Sequence, residues 1–303
     1  MKKTLLIVGC GNVAFRVAPL LHKRYRLLGL CRKPENFCKL RTYSITPLLG
    51  DLDQSRSLDK LAGVAQAVLH LAPPPSYGLK DPRTTHLLAA LTRQTSAKRR
   101  ILPHRLIYIS TSGVYGDCQG NWVSENCPLN PVNERAWRRV DAEKQIRQWG
   151  SRNNVHVSIL RVPGIYAADR LPLARLQQGT PVLSADEDSY TNHIHADDLA
   201  RIIAAVLHYG KPGRIYHASD DSHLKMGDYF DLVADYFGLP RPPRIPRHQA
   251  HQSIPSALMS FMNESRRLTN SRIKQELHIQ LLYPTVAAAF AQTIQHESGD
   301  YLP

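Results

Sequence analysis

The sequence has no long apolar run and no cysteine spacing that is typical of a metal site. None of its apolar stretches approaches the ~20 residues of a membrane-spanning helix, which excludes an integral membrane protein. The five cysteines form no Cys-x-x-Cys pair, and their odd number does not indicate a disulfide framework. We therefore expect reduced thiols in a cytoplasmic protein. With 43% hydrophobic and 21% charged residues, the chain is also too apolar for a disordered protein.

Positive charge predominates in this chain. It holds 39 Lys and Arg residues against 25 Asp and Glu residues, a formal net charge of +14. Such a balance favours anionic partners, namely phosphates, nucleotides or nucleic acid. The basic residues are scattered rather than gathered in a stripe with interleaved aromatic side chains, and no nucleic-acid-binding motif is present. Nucleic acid is therefore not the expected partner.

A glycine-rich turn lies close to the start of the chain. Residues 4–8 are a short apolar run typical of a buried parallel strand, and a helical pattern begins near Val13. In the turn between them, Gly9 permits a tight bend and Gly11 lets the backbone approach a pyrophosphate. Ala14 lets the helix pack close to the strand, and the helix N-terminus offers free N–H groups to phosphates. The pattern predicts a dinucleotide site rather than a merely structural turn. The predicted cofactor contacts in it are Gly9, Gly11, Asn12, Val13 and Ala14.

The residues after the second predicted strand bear on the choice of dinucleotide. A site for NAD usually has Asp or Glu about 20 residues beyond the first glycine, where the carboxylate binds the ribose 2′-hydroxyl. Positions 29–33 hold no carboxylate, whereas Arg32 and Lys33 suit a 2′-phosphate. The sequence therefore favours NADP over NAD. The alternative is a basic loop beside an NAD site that uses Glu35 or backbone groups.

Strands and helices continue to alternate along the chain, which predicts βαβ units and a parallel sheet. We expect an α/β fold: a Rossmann-type doubly wound parallel sheet with a smaller, mostly helical C-terminal lobe. Ligands bind such sheets at the carboxyl ends of the strands. Four further residues fall at that edge and are predicted cofactor contacts: Asp51, Ala72, Pro73 and Ser110.

Two lobes are expected. We expect residues 1–164 to form the dinucleotide-binding domain, to which residues 187–220 return, and residues 165–186 and 221–303 to form a second lobe. Helices are predicted over 226–238, 250–264 and 283–297. The apolar face of the first of these, with Phe230, Leu232, Val233 and Phe237, is interpreted as core.

Five motifs, in this order and spacing, resemble the extended, epimerase/dehydratase-like branch of the short-chain dehydrogenase/reductase superfamily. They are Gly9–Ala14, Gly50–Leu52, Ile109–Gly116, Leu160–Tyr166 and Asn192–Leu199. The resemblance covers essentially the whole chain, and it implies that the second lobe, residues 165–186 and 221–303, is the substrate-binding lobe. It implies an NAD(P)-dependent oxidoreductase or epimerase/dehydratase-like enzyme that acts on an anionic, nucleotide-sugar-like small molecule. Extended relatives often dimerise, so it also implies a homodimer.

The superfamily's Tyr-x-x-x-Lys pair, whose tyrosine is the general acid/base, is missing from this chain. Counting back from Glu143, Arg135 stands at the tyrosine position and Arg139 at the lysine position. The pKa of arginine exceeds ~12, so Arg135 is no proton shuttle near neutral pH. Arg139 suits the cofactor ribose or phosphate, and two guanidinium groups four residues apart suit a carboxylate or phosphate. The alternative is that both are surface arginines on a basic helix.

Two other residues complete the predicted catalytic set of Thr111, Arg135, Arg139 and Tyr166. By the resemblance, Thr111 stands where the superfamily's Ser or Thr binds the substrate oxygen. Tyr166 follows the sixth strand and is a candidate to face the substrate. A spacing similar to that of metal ligands is found at His193, His195 and Asp197. A strand that ends in Asp197 or Asp198, which caps the following helix, explains the spacing better. No metal is therefore predicted. The missing pair supports a second hypothesis, a non-catalytic NAD(P)-binding sensor or regulatory protein.

Overall fold

The computed structural model describes residues 2–95 and 101–299. The strands in this part of the chain are β1 (Lys3–Val8), β2 (Tyr25–Cys31), β3 (Ile45–Leu49), β4 (Ala67–His70), β5 (Arg105–Thr111), β6 (Trp122–Val123), β7 (His156–Val162), β8 (Gly164–Tyr166), β9 (Val182–Leu183), β10 (His193–His195), β11 (Arg214–His217), β12 (Arg244–Ile245) and β13 (Arg267–Leu268). The α-helices are α1 (Asn12–Leu21), α2 (Phe37–Thr42), α3 (Pro82–Thr92), α4 (Glu134–Asn153), α5 (Leu173–Gln177), α6 (Ala196–Tyr209), α7 (Met226–Tyr236), α8 (Arg247–Ser253), α9 (Ser256–Met262), α10 (Ser271–Leu277) and α11 (Val286–Gly299).

Seven of these strands form one parallel sheet in the order β11-β7-β5-β4-β1-β2-β3. Both faces of its centre are buried, which is why β1 is a continuous apolar run in which Leu5, Leu6, Ile7 and Val8 are all inaccessible. The strand order reverses between β1 and β4, and such a reversal opens a crevice at the carboxyl ends of the two strands. The predicted Rossmann-type α/β fold is confirmed.

Helices cover both faces of the sheet. On one face, α1, α6 and α10 bury residues such as Val17, Ile203 and Ile273 against the strands. On the other face, α3 and α4 do the same with Leu87 and Ile146. Three two-stranded parallel pairs, β8–β10, β9–β12 and β6–β13, lie outside the central sheet. Among the helices of the described ranges, none is both long enough and apolar enough to cross a membrane.

The second lobe has an apolar core of its own, contributed by α5, α7, α8, α9 and α11. Phe230 and Val233 of α7 are buried in it, as expected for a core stripe. Phe237 departs from that expectation: it follows the end of α7 and is 40% exposed. The helix predicted over 250–264 is two short helices, α8 and α9, because Pro255 interrupts the pattern between them.

Candidate functional site

The glycine turn joins β1 to α1 at the crevice of the sheet. Gly9 has φ +96°, and a Cβ built on it would lie 2.5 Å from the amide nitrogen of Ala72, so only glycine fits there. Gly11 precedes α1, and a Cβ on Gly11 would meet no described atom within 4 Å. Gly11 is the N-cap residue of α1 and has no side chain that could accept a hydrogen bond from the helix. The first N–H groups of α1 therefore remain available to an anion.

A cavity of about 560 Å³ lies beside this turn, at the carboxyl ends of the central strands. That volume falls within the range of ligand pockets, roughly 300–1,000 Å³. Each of the ten predicted cofactor contacts lines the cavity: Gly9, Gly11, Asn12, Val13, Ala14, Arg32, Asp51, Ala72, Pro73 and Ser110. Thr111 and Arg139 line it too. The structure therefore brings together residues that the chain separates widely.

The end of the cavity beside β2 and β3 is rich in positive charge. Arg32 and Lys33 are exposed there, and Arg83 of α3 joins them. Arg83 donates two hydrogen bonds to Asp53, at 2.7 and 2.6 Å, and these hydrogen bonds lower the pKa of Asp53. Among the described residues that line the cavity, Asp51 alone carries a carboxylate. Sequence reasoning did not identify Arg83, because nothing local distinguishes it from other helix arginines.

The opposite end of the cavity is formed by the end of β5 and by α4. Arg139 Nη1 donates to the Ile109 carbonyl oxygen at 2.7 Å and to the Tyr108 hydroxyl at 3.1 Å. Ser110 is 3% exposed, and its hydroxyl has no hydrogen-bond partner among the described residues. A buried hydroxyl without a partner costs free energy, so its position on the cavity wall points to a polar ligand.

A buried histidine lies behind this end of the cavity. His70 Nε2 is 3.0 Å from Thr84 Oγ1, and the Thr84 hydroxyl donates to Asp81 at 2.7 Å. Because the Thr84 proton is directed to Asp81, the Thr84 oxygen accepts from His70, which places the imidazole proton on Nε2. Burial, with the Arg139 charge as a smaller cause, lowers the pKa of His70 to about 3. His70 is therefore a neutral support for the site.

Arg135 lies outside the cavity lining. It is exposed, and its guanidinium carbon stacks 4.1 Å from the ring centroid of Phe261 in the second lobe. Arg135 and Arg139 lie four residues apart on α4, and of these two described residues Arg139 lines the cavity whereas Arg135 does not. The two arginines therefore do not form the predicted clamp: Arg139 lies on the cavity wall, and Arg135 lies against the second lobe.

Tyr166 is also separated from the cavity. The residue is 1% exposed and belongs to the second-lobe core, where its ring packs edge-on against His193 and His195. Burial raises the pKa of Tyr166 far above its ordinary value. A buried, un-ionised phenol away from the cavity does not suit the substrate-facing role expected from the sequence.

A carboxylate from the second lobe lies near Thr111. A Cβ built on Gly113 would be 3.6 Å from Thr111 Oγ1 and 3.7 Å from Glu264 Oε2, so both oxygens border the same small gap. Glu264 is buried and accepts hydrogen bonds from Asn133 at 2.7 Å and from Arg266 at 2.9 Å. The sequence carried no local feature that would have placed this distant glutamate beside β5.

The His193 and His195 segment is structural. His193 stacks on Tyr229 at 4.1 Å, and His195 itself caps α6 by accepting a hydrogen bond from the Asp197 amide at 3.3 Å. The cap is therefore His195 rather than Asp197 or Asp198. Buried Asp198 instead accepts from the Leu282 and Tyr283 amides. Within 2–95 and 101–299, no group of three His, Cys, Asp or Glu side chains is placed to hold a metal ion.

Known proteins resemble this chain in sequence. The model of the NAD dependent epimerase/dehydratase family matches residues 6–219. Protein YeeZ of Escherichia coli K12 is 30% identical over 181 residues, which are 59% of each chain. A Bacillus subtilis protein named Uncharacterized UDP-glucose epimerase YtcB is 31% identical over 165 residues, 50% of this chain and 51% of that protein. The chain thus matches little more than half the length of these curated relatives.

Solved structures resemble it over almost its whole length. A functionally unknown conserved protein from Silicibacter pomeroyi has a TM-score of 0.78 at 28% identity, with 98% of this chain and 99% of that chain covered. DesIV, a dTDP-glucose 4,6-dehydratase from Streptomyces venezuelae solved with NAD and TYD bound, has a TM-score of 0.75 at 20% identity, covering 98% and 97%. At that lower identity the likeness concerns the fold.

Proposed function

The chain belongs to the NAD dependent epimerase/dehydratase family, and from this premise we propose that it is an enzyme that binds NAD(P) in the cavity beside the glycine turn. The observation that carries the proposal is the turn itself: Gly9 packs against Ala72, while Gly11 leaves open space before the N–H groups of α1. The unpartnered Ser110 hydroxyl on the same wall suits a polar ligand. Bound NAD(P) would supply or accept a hydride at its nicotinamide ring.

We propose NADP as the preferred cofactor. Arg32 stands after β2, at the position where a carboxylate would favour NAD, and Lys33 adds a second exposed cation. Arg83 lines the same end, but Asp53 holds its guanidinium. A 2′-phosphate would meet two exposed cations here, whereas a ribose 2′-hydroxyl would find no Asp or Glu immediately after β2.

For the substrate, we propose an anionic small molecule of the nucleotide-sugar kind. Relatives named for UDP-glucose and dTDP-glucose support the class, and Thr111 and Arg139 supply a hydroxyl and a cation at the inner end of the cavity. Thr111 would hold the substrate oxygen, Arg139 the cofactor ribose or phosphate, and Arg135 an anionic part of the substrate between the lobes. Tyr166 is left out of this proposal because of its burial. The homodimer also remains a proposal, which analytical ultracentrifugation of the full chain tests.

One observation favours a second candidate, a non-catalytic NAD(P)-binding sensor or regulatory protein. Arginine stands at the position of the usual proton-transferring tyrosine, and Glu264, the carboxylate near Thr111, is engaged by Asn133 and Arg266. A carboxylate held in this way already accepts hydrogen bonds at both of its oxygens. A protein with this site would bind the dinucleotide without transferring a hydride.

Calorimetric titration of NADPH, NADH and their oxidised forms tests the proposal. Wild type should bind NADPH best, Arg32→Ala should lose the preference for NADPH over NADH, and Arg139→Ala should bind both more weakly. Arg175→Ala is the matched control, because Arg175 is exposed on α5 and lies outside the cavity lining. Absence of binding by any dinucleotide would overturn the proposal. Tight binding without turnover over a panel of nucleotide sugars would favour the non-catalytic candidate.

A further inference from the structure

A second segment of the chain lies over the N-terminal turn of α1. It is the 3₁₀ turn Ala168–Arg170, which follows β8 and leads towards the second lobe. Asn12 Nδ2 donates to Asp169 at 2.7 Å, and Arg16 Nη2 donates to the other oxygen of Asp169 at 2.8 Å. Arg16 Nε also donates to Asn12 Oδ1 at 3.1 Å, and Arg16 Nη1 pairs with Asp197 at the start of α6. We call this set of four side chains, Asn12, Arg16, Asp169 and Asp197, the latch.

Next to the latch lies a cation, Arg170, that has no side-chain partner among the described residues. Arg170 lines the cavity together with the glycine turn, and its side chain is exposed. In the described ranges, no carboxylate or carbonyl oxygen pairs with its guanidinium. Arg83 and Arg139, which line the same cavity, are by contrast held by Asp53 and by the Ile109 carbonyl.

The latch also engages the negative charge of Asp169 beside the N-terminus of α1. Asp169 by itself would repel an anion at the N-terminus of α1, but Arg16 and Asn12 occupy both of its carboxylate oxygens. Of the charged side chains of the latch and Arg170, only that of Arg170 lines the cavity. A phosphate near Gly11 would therefore meet the N–H groups of α1 on one side and a free guanidinium on the other.

We infer that Arg170 binds the pyrophosphate of the dinucleotide from the side opposite the glycine turn, and that Asp169 positions it through the latch. This inference rests on the proposed function and extends it, because the cofactor would then join the α1 turn to the segment that enters the second lobe. A planar guanidinium suits the task, since its paired N–H groups match two phosphate oxygens.

The test is calorimetric titration of NADPH and of ADP-ribose, which has the pyrophosphate without the nicotinamide. We expect Arg170→Gln to weaken both by about tenfold, as for the loss of one charged hydrogen-bonded contact, and Arg170→Lys to weaken both less. Arg175→Gln, the control on α5, should leave both unchanged. In an Asp169→Ala background, Arg170→Gln should weaken binding by no more than about threefold, because the guanidinium is no longer positioned.

The outcomes separate the two proposals. If wild type binds NADPH and Arg170→Gln binds it equally well, the inference about Arg170 is overturned and the proposed function stands. Equal losses in Arg170→Gln and Arg175→Gln would reduce the effect to general surface charge and overturn the inference as well. If wild type binds neither NADPH, NADH nor ADP-ribose, both proposals fall.

Discussion

Gly9 and Ala72 approach so closely that a Cβ on Gly9 would lie 2.5 Å from the Ala72 amide nitrogen and 2.7 Å from its Cα. The contact joins the ends of β1 and β4, the two strands between which the sheet order reverses. Gly11, two residues on, has open space where its Cβ would be. The two glycines therefore perform different tasks, one in the fold and one at the cavity.

Substitution of these glycines should separate stability from binding. Gly9→Ala adds a methyl at φ +96° against backbone atoms, so we expect a loss of roughly 2–6 kcal/mol in the free energy of unfolding. Gly11→Ala should change that free energy by less than about 1 kcal/mol, because its φ of −102° suits alanine. It should nonetheless weaken NADPH binding at least tenfold, since the methyl occupies the approach to α1. Urea unfolding and calorimetry measure the two effects; a stable Gly9→Ala protein would contradict the assignment.

Arg139 should be replaceable by lysine but not by alanine. Its Nη1 donates to the Ile109 carbonyl at 2.7 Å, and a lysine ammonium can supply both a donor and the positive charge. We expect Arg139→Lys to bind NADPH within about threefold of wild type, and Arg139→Ala to bind about tenfold more weakly. Thermal unfolding of both variants serves as the control for folding. Undiminished NADPH affinity in Arg139→Ala would remove Arg139 from the cofactor site.

The free energy of unfolding should fall as the pH drops below 6.5. Burial lowers the pKa of His70, His193 and His217 to about 3, so these side chains stay neutral in the folded protein while the unfolded chain takes up protons near pH 6.5. Burial raises the pKa of Asp220 to about 7, and this group acts in the opposite direction between pH 4 and 7. The net uptake of two protons on unfolding predicts a loss of about 2.7 kcal/mol per pH unit near pH 5 from these four groups.

His193→Phe tests that linkage, because His193 stacks on Tyr229 and its Nδ1 has no hydrogen-bond partner among the residues described. The variant should take up one proton on unfolding where the wild type takes up two. The slope of the free energy of unfolding against pH should therefore fall by about 1.4 kcal/mol per pH unit. Urea unfolding at pH 5 and pH 6 measures the slope. An unchanged slope in the variant would show that His193 titrates normally in the folded protein.

Removal of only one partner of a buried ion pair should strongly destabilise the folded protein. Arg161 donates to both oxygens of Glu143, at 3.1 and 2.7 Å, and each side chain is 3% exposed. Arg161 also donates to the Tyr115 hydroxyl, which in turn donates to His217 Nε2. We expect Glu143→Leu to cost about 3–5 kcal/mol, because it leaves a buried charge without its partner. The double variant Glu143→Leu/Arg161→Met should cost clearly less in urea unfolding; equal or additive losses would argue against charge burial as the cause.

Much of the cavity wall beside the glycine turn was predictable from local sequence. A buried strand followed by Gly9, Gly11 and Ala14 specifies a strand–turn–helix unit, because backbone geometry at a tight turn depends on neighbouring residues. In a parallel sheet, the ends of successive strands meet at one edge. That rule alone placed Asp51, Ala72 and Ser110 beside the glycine turn, and the cavity lining agrees with it.

The side chains around α4 and the second lobe were decided by tertiary structure. Spacing on α4 put Arg135 and Arg139 on one side of the helix, but the packing of the second lobe drew Arg135 to Phe261 and left Arg139 at the cavity. Position after a strand suggested that Tyr166 faces the substrate, whereas the second-lobe core buries it. Arg170 lines the cavity and Glu264 lies near Thr111 because of contacts between distant segments of the chain. The sequence by itself determined the sheet, the turn and the edge at which the cavity lies, since these follow from local periodicity. Which long side chains reach that edge depended on how the second lobe packs, a non-local outcome that local patterns do not encode.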